Sequence, residues 1–269
     1  RPRFGAADES QLSIRGSGLR NNFHLRGINV LIDGFLYGNA DGFSDFESLE
    51  LLSTKYIEVF KGSNALRFGA NSMGGAINLV TKTGYDAGLI ELRSEAGSYD
   101  FFKNYIASGQ VLGPFDYYVG YADTQLTGYR EHSEQGRDRV YSTFGYQLPG
   151  GTTMRLDFTY VNNKENLPGS LTLPEFKSDP RQRNPAAAFA DEARNYDYLR
   201  GAFTVRTPLT DVRALEWALQ YNYQDLDHPL SFAIIDNVTN NWGAEMRYLD
   251  WTPLFGLNAR FTIGAQYFG

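Results

Sequence analysis

Along this chain the hydrophobic pattern changes character near residue 84. Before that point apolar residues come in short runs rich in β-branched side chains. They are Gln11-Leu-Ser-Ile-Arg-Gly16, Gly27-Ile-Asn-Val-Leu-Ile-Asp-Gly34, Tyr56-Ile-Glu-Val-Phe-Lys-Gly62 and Gly75-Ala-Ile-Asn-Leu-Val-Thr-Lys82. Each run is closed by Gly or a polar turn residue, which predicts four strands of a small mixed sheet over residues 12–82. Between the second and third runs, Ser44 to Leu52 predicts a short helix that covers the sheet. Ser44 would cap it, Glu47 follows at capping-box spacing, and Phe46, Leu49 and Leu52 share a side. Gly69, Gly74 and Gly75 bracket Ala70 to Met73 in a turn that most side chains would obstruct. That turn lacks the Gly-Lys-Ser/Thr ending of a phosphate-binding loop.

Beyond Gly84 the runs lengthen to roughly ten residues and alternate strictly between apolar and polar. Met154, Leu156, Phe158 and Tyr160 alternate with Arg155, Asp157 and Thr159. Leu215, Trp217, Leu219, Tyr221 and Tyr223 alternate with Glu216, Ala218, Gln220, Asn222 and Gln224. Trp242 and Met246 oppose Glu245 and Arg247, and Phe261 and Ile263 oppose Arg260 and Thr262. Nine such segments fall near 87–97, 101–112, 115–127, 138–148, 152–162, 196–207, 213–226, 238–251 and 257–268. The connections at 113–114, 149–151, 208–212 and 252–256 are short, whereas 128–137, 163–195 and 227–237 are longer. Alternation with aromatic residues toward segment ends, and connections of alternating length, are the pattern of outer-membrane barrel strands with short periplasmic turns and long external loops. A soluble β-sandwich also alternates. Its strands are usually five or six residues, shorter than these, and its apolar face is less aromatic.

Composition sharpens that choice. Phe, Trp and Tyr make up 15% of the 269 residues, and no stretch approaches the roughly eighteen consecutive apolar residues that a membrane helix requires. Residues 1–84 carry nine Lys+Arg and eight Asp+Glu, while the remainder carries sixteen and twenty-three. An acidic chain with no basic stripe excludes nucleic acid as an expected partner. With no cysteine there is neither a disulfide framework nor a thiolate metal site. His24, His132 and His228 lack metal-ligand spacing, so no metal or cofactor is expected, and no nucleophilic or acid–base set suggests an enzyme.

The four runs of residues 11–84, in this order, resemble the plug of a TonB-dependent outer-membrane receptor. That family carries Ser-Ile-Arg-Gly, Leu-Ile-Asp-Gly and Ile-Glu-Val-x-(Lys/Arg)-Gly strands, and a hairpin from Ala-Leu-x-(Tyr/Phe)-Gly to Gly-Gly-Ala-Ile-Asn-x-Val-Thr-Lys. The resemblance implies a mainly β protein with two parts. Residues 1–84 would be the C-terminal part of a plug, and residues 85–269 about nine antiparallel transmembrane strands of a barrel that has about twenty-two when complete. The chain opens without a signal sequence, and the family's signal, TonB box and first plug residues are expected upstream. The implied activity is active import across the outer membrane of a Gram-negative bacterium, with a ferric siderophore or ferric citrate as substrate and the TonB complex and membrane lipid as partners. The segments Gly18 to Gly27, Asn39 to Asp45 and Asn64 to Gly69 are similar to ferric-citrate-type receptors more than to vitamin B12 or glycan receptors. Alternatives are import of cobalamin, a glycan or another metal chelate, a passive channel, or an adhesin.

Family position implies structural roles for Arg15 and Arg67, pairing with Glu58 or with wall carboxylates, and for Gly69, Gly74 and Gly75. In the resembling family the connections after the first two strands are apical loops facing the external cavity. Arg20, Asn22, Tyr37 and Asn39 on those loops, with Arg181, Arg183 and Arg194 on the long 163–195 connection, are therefore the expected substrate contacts. Arginine forks and hydrogen-bonding side chains suit the anionic oxygens of a ferric chelate.

Overall fold

The structure, a computed structural model, describes residues 12–17, 27–39, 46–69 and 71–269. They form two sheets. The smaller has the order β2-β1-β4-β3, built from β1 (Ile28–Ile32), β2 (Phe35–Leu36), β3 (Thr54–Lys61) and β4 (Gly75–Thr81). β1 runs parallel to β4, and the other pairs are antiparallel, so the sheet is mixed. Every residue of β1 is buried, the expected state of a central strand covered on both faces.

Two details depart from the sequence reading. Among the described residues of the first run, Ile14 and Ser17 make only an isolated antiparallel bridge, because Arg15 and Gly16 both take positive φ and turn the chain back. The fourth strand of the sheet is instead the two-residue β2. Between β2 and β3 the expected helix is two 3-10 turns, Phe46–Ser48 and Leu51–Ser53. Glu50 interrupts them in extended conformation, with its carboxylate accepting from Leu52 N at 3.0 Å. Phe46 and Leu49 pack against the sheet core as expected, and Ser44 lies outside the described residues.

The larger sheet is a wall of nine strands in strict sequence order, each antiparallel to the next. It comprises β5 (Glu91–Ala96), β6 (Phe102–Leu112), β7 (Phe115–Leu126), β8 (Gln135–Gln147), β9 (Thr153–Glu165), β10 (Asn195–Thr210), β11 (Arg213–Leu230), β12 (Ala233–Asp250) and β13 (Phe261–Phe268). The alternation falls in the expected phase. Leu156, Leu219, Trp242, Met246, Phe261 and Ile263 are 49–73% exposed on the outer face, and Phe158 and Trp217 lie among them half-buried. Asp157, Arg200, Gln220 and Asn222 are buried on the inner face, against the small sheet. At the long-loop end the outer face carries tyrosines hydrogen-bonded to carboxylates, Tyr121 to Asp138 at 2.5 Å and Tyr160 to Asp197 at 2.7 Å.

Three connections differ from expectation. β8 begins at Gln135, and β11 and β12 stay paired up to Leu230 and Ala233, so the 227–237 connection is a two-residue turn rather than the expected loop. The pairing persists because His228 and Ser231 bond to the neighbouring long loop, so the hairpin tip has a surface to rest on. At the opposite end β13 starts at Phe261 rather than 257, after a tight bridge from Leu254 to Leu257.

The chain crosses from small sheet to wall through residues 82–90. Gly84 N donates to Asp116 Oδ1 at 3.3 Å, and a side chain at Gly84 would meet Gln110 O at 2.2 Å, so only glycine lets the linker lie this close to the wall.

Candidate functional site

The small sheet is seated on the inner face of the wall, and the character of that contact varies around it. Toward β6 and β8, Glu50 meets two wall cations. Lys103 Nζ lies 2.9 Å from Oε1 and Arg139 Nη1 lies 3.2 Å from Oε2, with the Glu50 and Arg139 side chains 4% and 5% exposed. Toward β9 and β10, Val30, Ile32, Tyr37 and Leu79 of the small sheet form one apolar cluster with Val161, Tyr196 and Tyr198 of the wall. Beside it Asp33, half-buried after β1, accepts from Thr81 N at 2.9 Å and Thr81 Oγ1 at 2.6 Å. Burial raises the Asp33 carboxyl above the ordinary range, against the opposing pull of those bonds and of Arg200 and Arg155.

Toward β11–β13 the contacts are sparser. Asn222 Nδ2 donates to Gly38 O at 3.3 Å, and Asn241 Nδ2 to Asn39 Oδ1 at 3.0 Å. Arg247 donates to Gly34 O and lies 4.6 Å from the centre of the Phe35 ring, while its Nε keeps Glu245 Oε1 at 2.5 Å. Two polar cavities of about 460 and 530 Å³ separate sheet and wall here, both lined by Arg67, Arg247, Arg260 and Thr262.

At the long-loop end, residues 166–194 form a folded cap. Helix α1 (Leu173–Ser178) opens on a capping box between Thr172 and Glu175, and helix α2 (Pro185–Ala190) is capped by Asn184. Arg130 staples the cap through its guanidinium, donating to Pro168 O at 3.1 Å, Gly169 O at 2.6 Å and Gln182 O at 2.9 Å. His132 Nε2 bonds to Glu192 O at 3.0 Å and His228 Nδ1 to Ala193 O at 2.5 Å. The two histidines therefore hold adjacent carbonyls of the cap.

The expected substrate contacts separate on this frame. Arg20 and Asn22 lie outside the described residues. Tyr37 is 6% exposed and packs edge-on to Tyr198, with ring centroids 6.5 Å apart, which places it in the seam between sheet and wall, where it lines a small enclosed cavity with Ser48 and Arg200. Asn39 reaches the wall through Asn241. Arg181 and Arg183 are exposed on the cap, Arg181 lying 5.3 Å from the Tyr129 ring centre. Arg194 is buried where the cap rejoins β10, 5.4 Å from the Tyr196 ring centre.

Among the structural residues, Arg67 stacks on Phe60 and Phe68 at 4.4 and 4.5 Å, while Glu58 accepts from Asn78 Nδ2 at 2.8 Å. Arg15 sits over Gly62, its Nη1 3.0 Å from where a side chain there would begin. Gly69 has φ +91°, and side chains at Gly74 and Gly75 would meet Gly27 O and Phe60 O at 2.8 and 2.6 Å, so the expected glycine turn is required by close approach. Glu50 and Arg130 were missed. Glu50 hides in the apolar run Leu49-Glu-Leu-Leu, where a carboxylate needs a partner, and that was the available signal.

Comparison with known proteins agrees with this architecture. The family model of the TonB-dependent receptor plug domain matches residues 2–76. The ferripyoverdine receptor of Pseudomonas aeruginosa is 26% identical over 243 residues, which cover 84% of this chain and 29% of that receptor. The metal-pseudopaline receptor CntO of the same species is 24% identical over 177 residues, 64% of this chain and 25% of CntO. Among solved structures, unliganded ferric citrate transporter FecA matches 100% of this chain and 42% of its own, with a TM-score of 0.76 at 19% identity. The chain thus spans about a quarter of the curated relatives it matches. Residues 2–76 thus match the TonB-dependent receptor plug family, and the fold of the chain is similar to that of the ferric citrate transporter FecA.

Proposed function

We propose that this chain is the plug, to residue 84, and the following barrel strands, from residue 85, of a receptor that imports a ferric chelate by TonB-dependent transport. The observation that carries the reading is a folded plug seated against the polar inner face of the wall and tied to it by Glu50, Lys103 and Arg139, which a passive pore would not need. A plugged lumen transports only if energy moves the plug, so a TonB-type partner follows. No enzymatic activity is part of this reading.

The substrate class rests on two supports. The ferripyoverdine and metal-pseudopaline receptors are relatives over most of this chain, and arginines stand at its external end. Arg20 and Asn22 on the first apical connection, Asn39 on the second, and Arg181, Arg183 and Arg194 of the cap are the proposed contacts. Tyr37 stays with them only as a buried support.

Binding titrations of an intact receptor carrying this chain, against a panel of ferric chelates, test the proposal. Arg20→Ala should cost a charge-assisted contact of about 1.5–3 kcal/mol, roughly tenfold to a hundredfold in affinity, with partial recovery in Arg20→Lys. Unchanged affinity in Arg20→Ala and in Arg183→Ala would remove the arginines from the site. Preference for a non-ferric chelate would move the substrate to another metal.

A further inference from the structure

Where the chain leaves the plug, its backbone amides change partners one after another. Thr81 N donates to Asp33 Oδ1 at 2.9 Å and Lys82 N to Ser53 O at 2.8 Å, both partners lying within the plug. Thr83 N donates to Asp86 Oδ2 at 3.1 Å, inside the linker, and Gly84 N to Asp116 Oδ1 at 3.3 Å, on the wall. Further on, Gly109 N of β6 donates to Gly88 O at 3.1 Å, and a side chain at Gly109 would meet Ala87 Cβ at 2.7 Å. The linker therefore lies along β6 and β7 as a strap, and Gly84 is where it passes from plug to wall.

The acceptor at that point is built by three strands. Asp116 of β7 and Arg155 of β9 are both register partners of Gly145 on the intervening β8. Across that glycine they form a two-bond ion pair, Arg155 Nη1 to Asp116 Oδ1 and Arg155 Nη2 to Asp116 Oδ2, each at 3.0 Å. Arg155 Nη1 also donates to Thr143 Oγ1 at 3.0 Å. A side chain at position 145 would overlap Asp116 Oδ2 and begin 2.5 Å from Arg155 Nη2, so the pair closes only over glycine. The fork holds the buried Asp116 carboxylate in one orientation, with Oδ1 shared between Arg155 and the strap.

We propose that Asp116, Gly145 and Arg155 are a capture site for the strap: a wall-borne acceptor for the Gly84 N–H that fixes the plug's C-terminal end on β7–β9, independently of how the plug sheet is seated. Its ligand is a backbone amide, presented by the one residue type with no side chain to hold it off the wall. Gly145 and Arg155 are positioning residues that act through Asp116, and this role is the same whatever solute the receptor carries.

Hydrogen exchange in an intact receptor separates this site from the plug's other contacts. Gly145→Ala alters neither plug nor strap, yet amides of residues 84–88 should exchange roughly tenfold faster while those of β1 and β4 keep the parent rates. A second variant exchanges the charges, Asp116→Arg with Arg155→Asp. It keeps an ion pair across β8 but offers Gly84 no acceptor at position 116, since arginine only donates, so the wall should assemble and the strap should still exchange fast. Should Gly145→Ala fail to assemble, the charge-exchanged variant decides alone. Parent-like protection of residues 84–88 in an assembled variant would overturn the proposal and make the pair a brace of the wall alone. Loss of protection shared equally by β1 and β4 would also overturn it.

Discussion

Residues that organise the seam do so through burial. Glu50 lies among leucines in the sequence, and its side chain is 4% exposed between two cations, so removing it leaves Lys103 and Arg139 without their carboxylate. Breaking one partner of a buried pair costs about 3–5 kcal/mol, and Glu50→Ala should weaken plug seating by that order. Hydrogen exchange of β1 and β4 amides in an intact receptor would register it, and protection equal to the parent would show that the apolar clusters alone seat the plug. Asp86 offers a pH test in the linker. Partial burial works to raise its carboxyl, but bonds from Lys55 and Thr83 outweigh this and hold it below the ordinary range. Because the folded value is depressed, this anchor is intact above the unfolded carboxylate pKa, about 3.9, and is lost as pH falls through the folded value. Linker amides should therefore exchange faster below that pH, and Asp86→Asn should abolish the change. Such anchors were not legible beforehand, since nothing in a sequence says which strand a buried carboxylate will face.

Elements were legible wherever one physical rule dominated. A strict period of two over ten or more residues predicts both the strand and its two faces, and the wall strands keep the expected phase from Arg155 to Ile263. Leu219→Lys, at 53% exposure on the outer face, should cost about 2–4 kcal/mol if it lies near the bilayer midplane, whereas Thr262→Lys, facing the polar cavities, should be nearly silent in assembly yield. Equal damage from both would reverse the faces. Element ends were less legible. The β11–β12 hairpin runs past the lipid-facing rows because residues 166–194 support its tip, a contact between segments far apart in sequence. The Ser44 to Leu52 helix became two turns because Glu50 faces the wall, which local propensity cannot anticipate.

At the scale of the whole molecule, a small mixed sheet with one all-buried strand fits a wall whose inner face is polar, and both parts follow from the change of hydrophobic period near residue 84. Plug identity was carried by four ordered motifs, and the comparisons agree with it. The substrate contacts were not carried that far, because Tyr37 turned inward while Arg181, Arg183 and Arg194 are spread between the surface and the base of a folded cap. That cap is held by Arg130, His132 and His228, so it behaves as a fixed roof unless those bonds break. The central claim is active import of a ferric chelate past a plug. Its most direct test is accumulation of radioiron-labelled chelate by cells whose only such receptor is the intact protein, with and without the inner-membrane proton gradient. The account predicts uptake that saturates with chelate and stops when the gradient is collapsed, while surface binding remains. Uptake that continues without the gradient, or none with any ferric chelate, would contradict it.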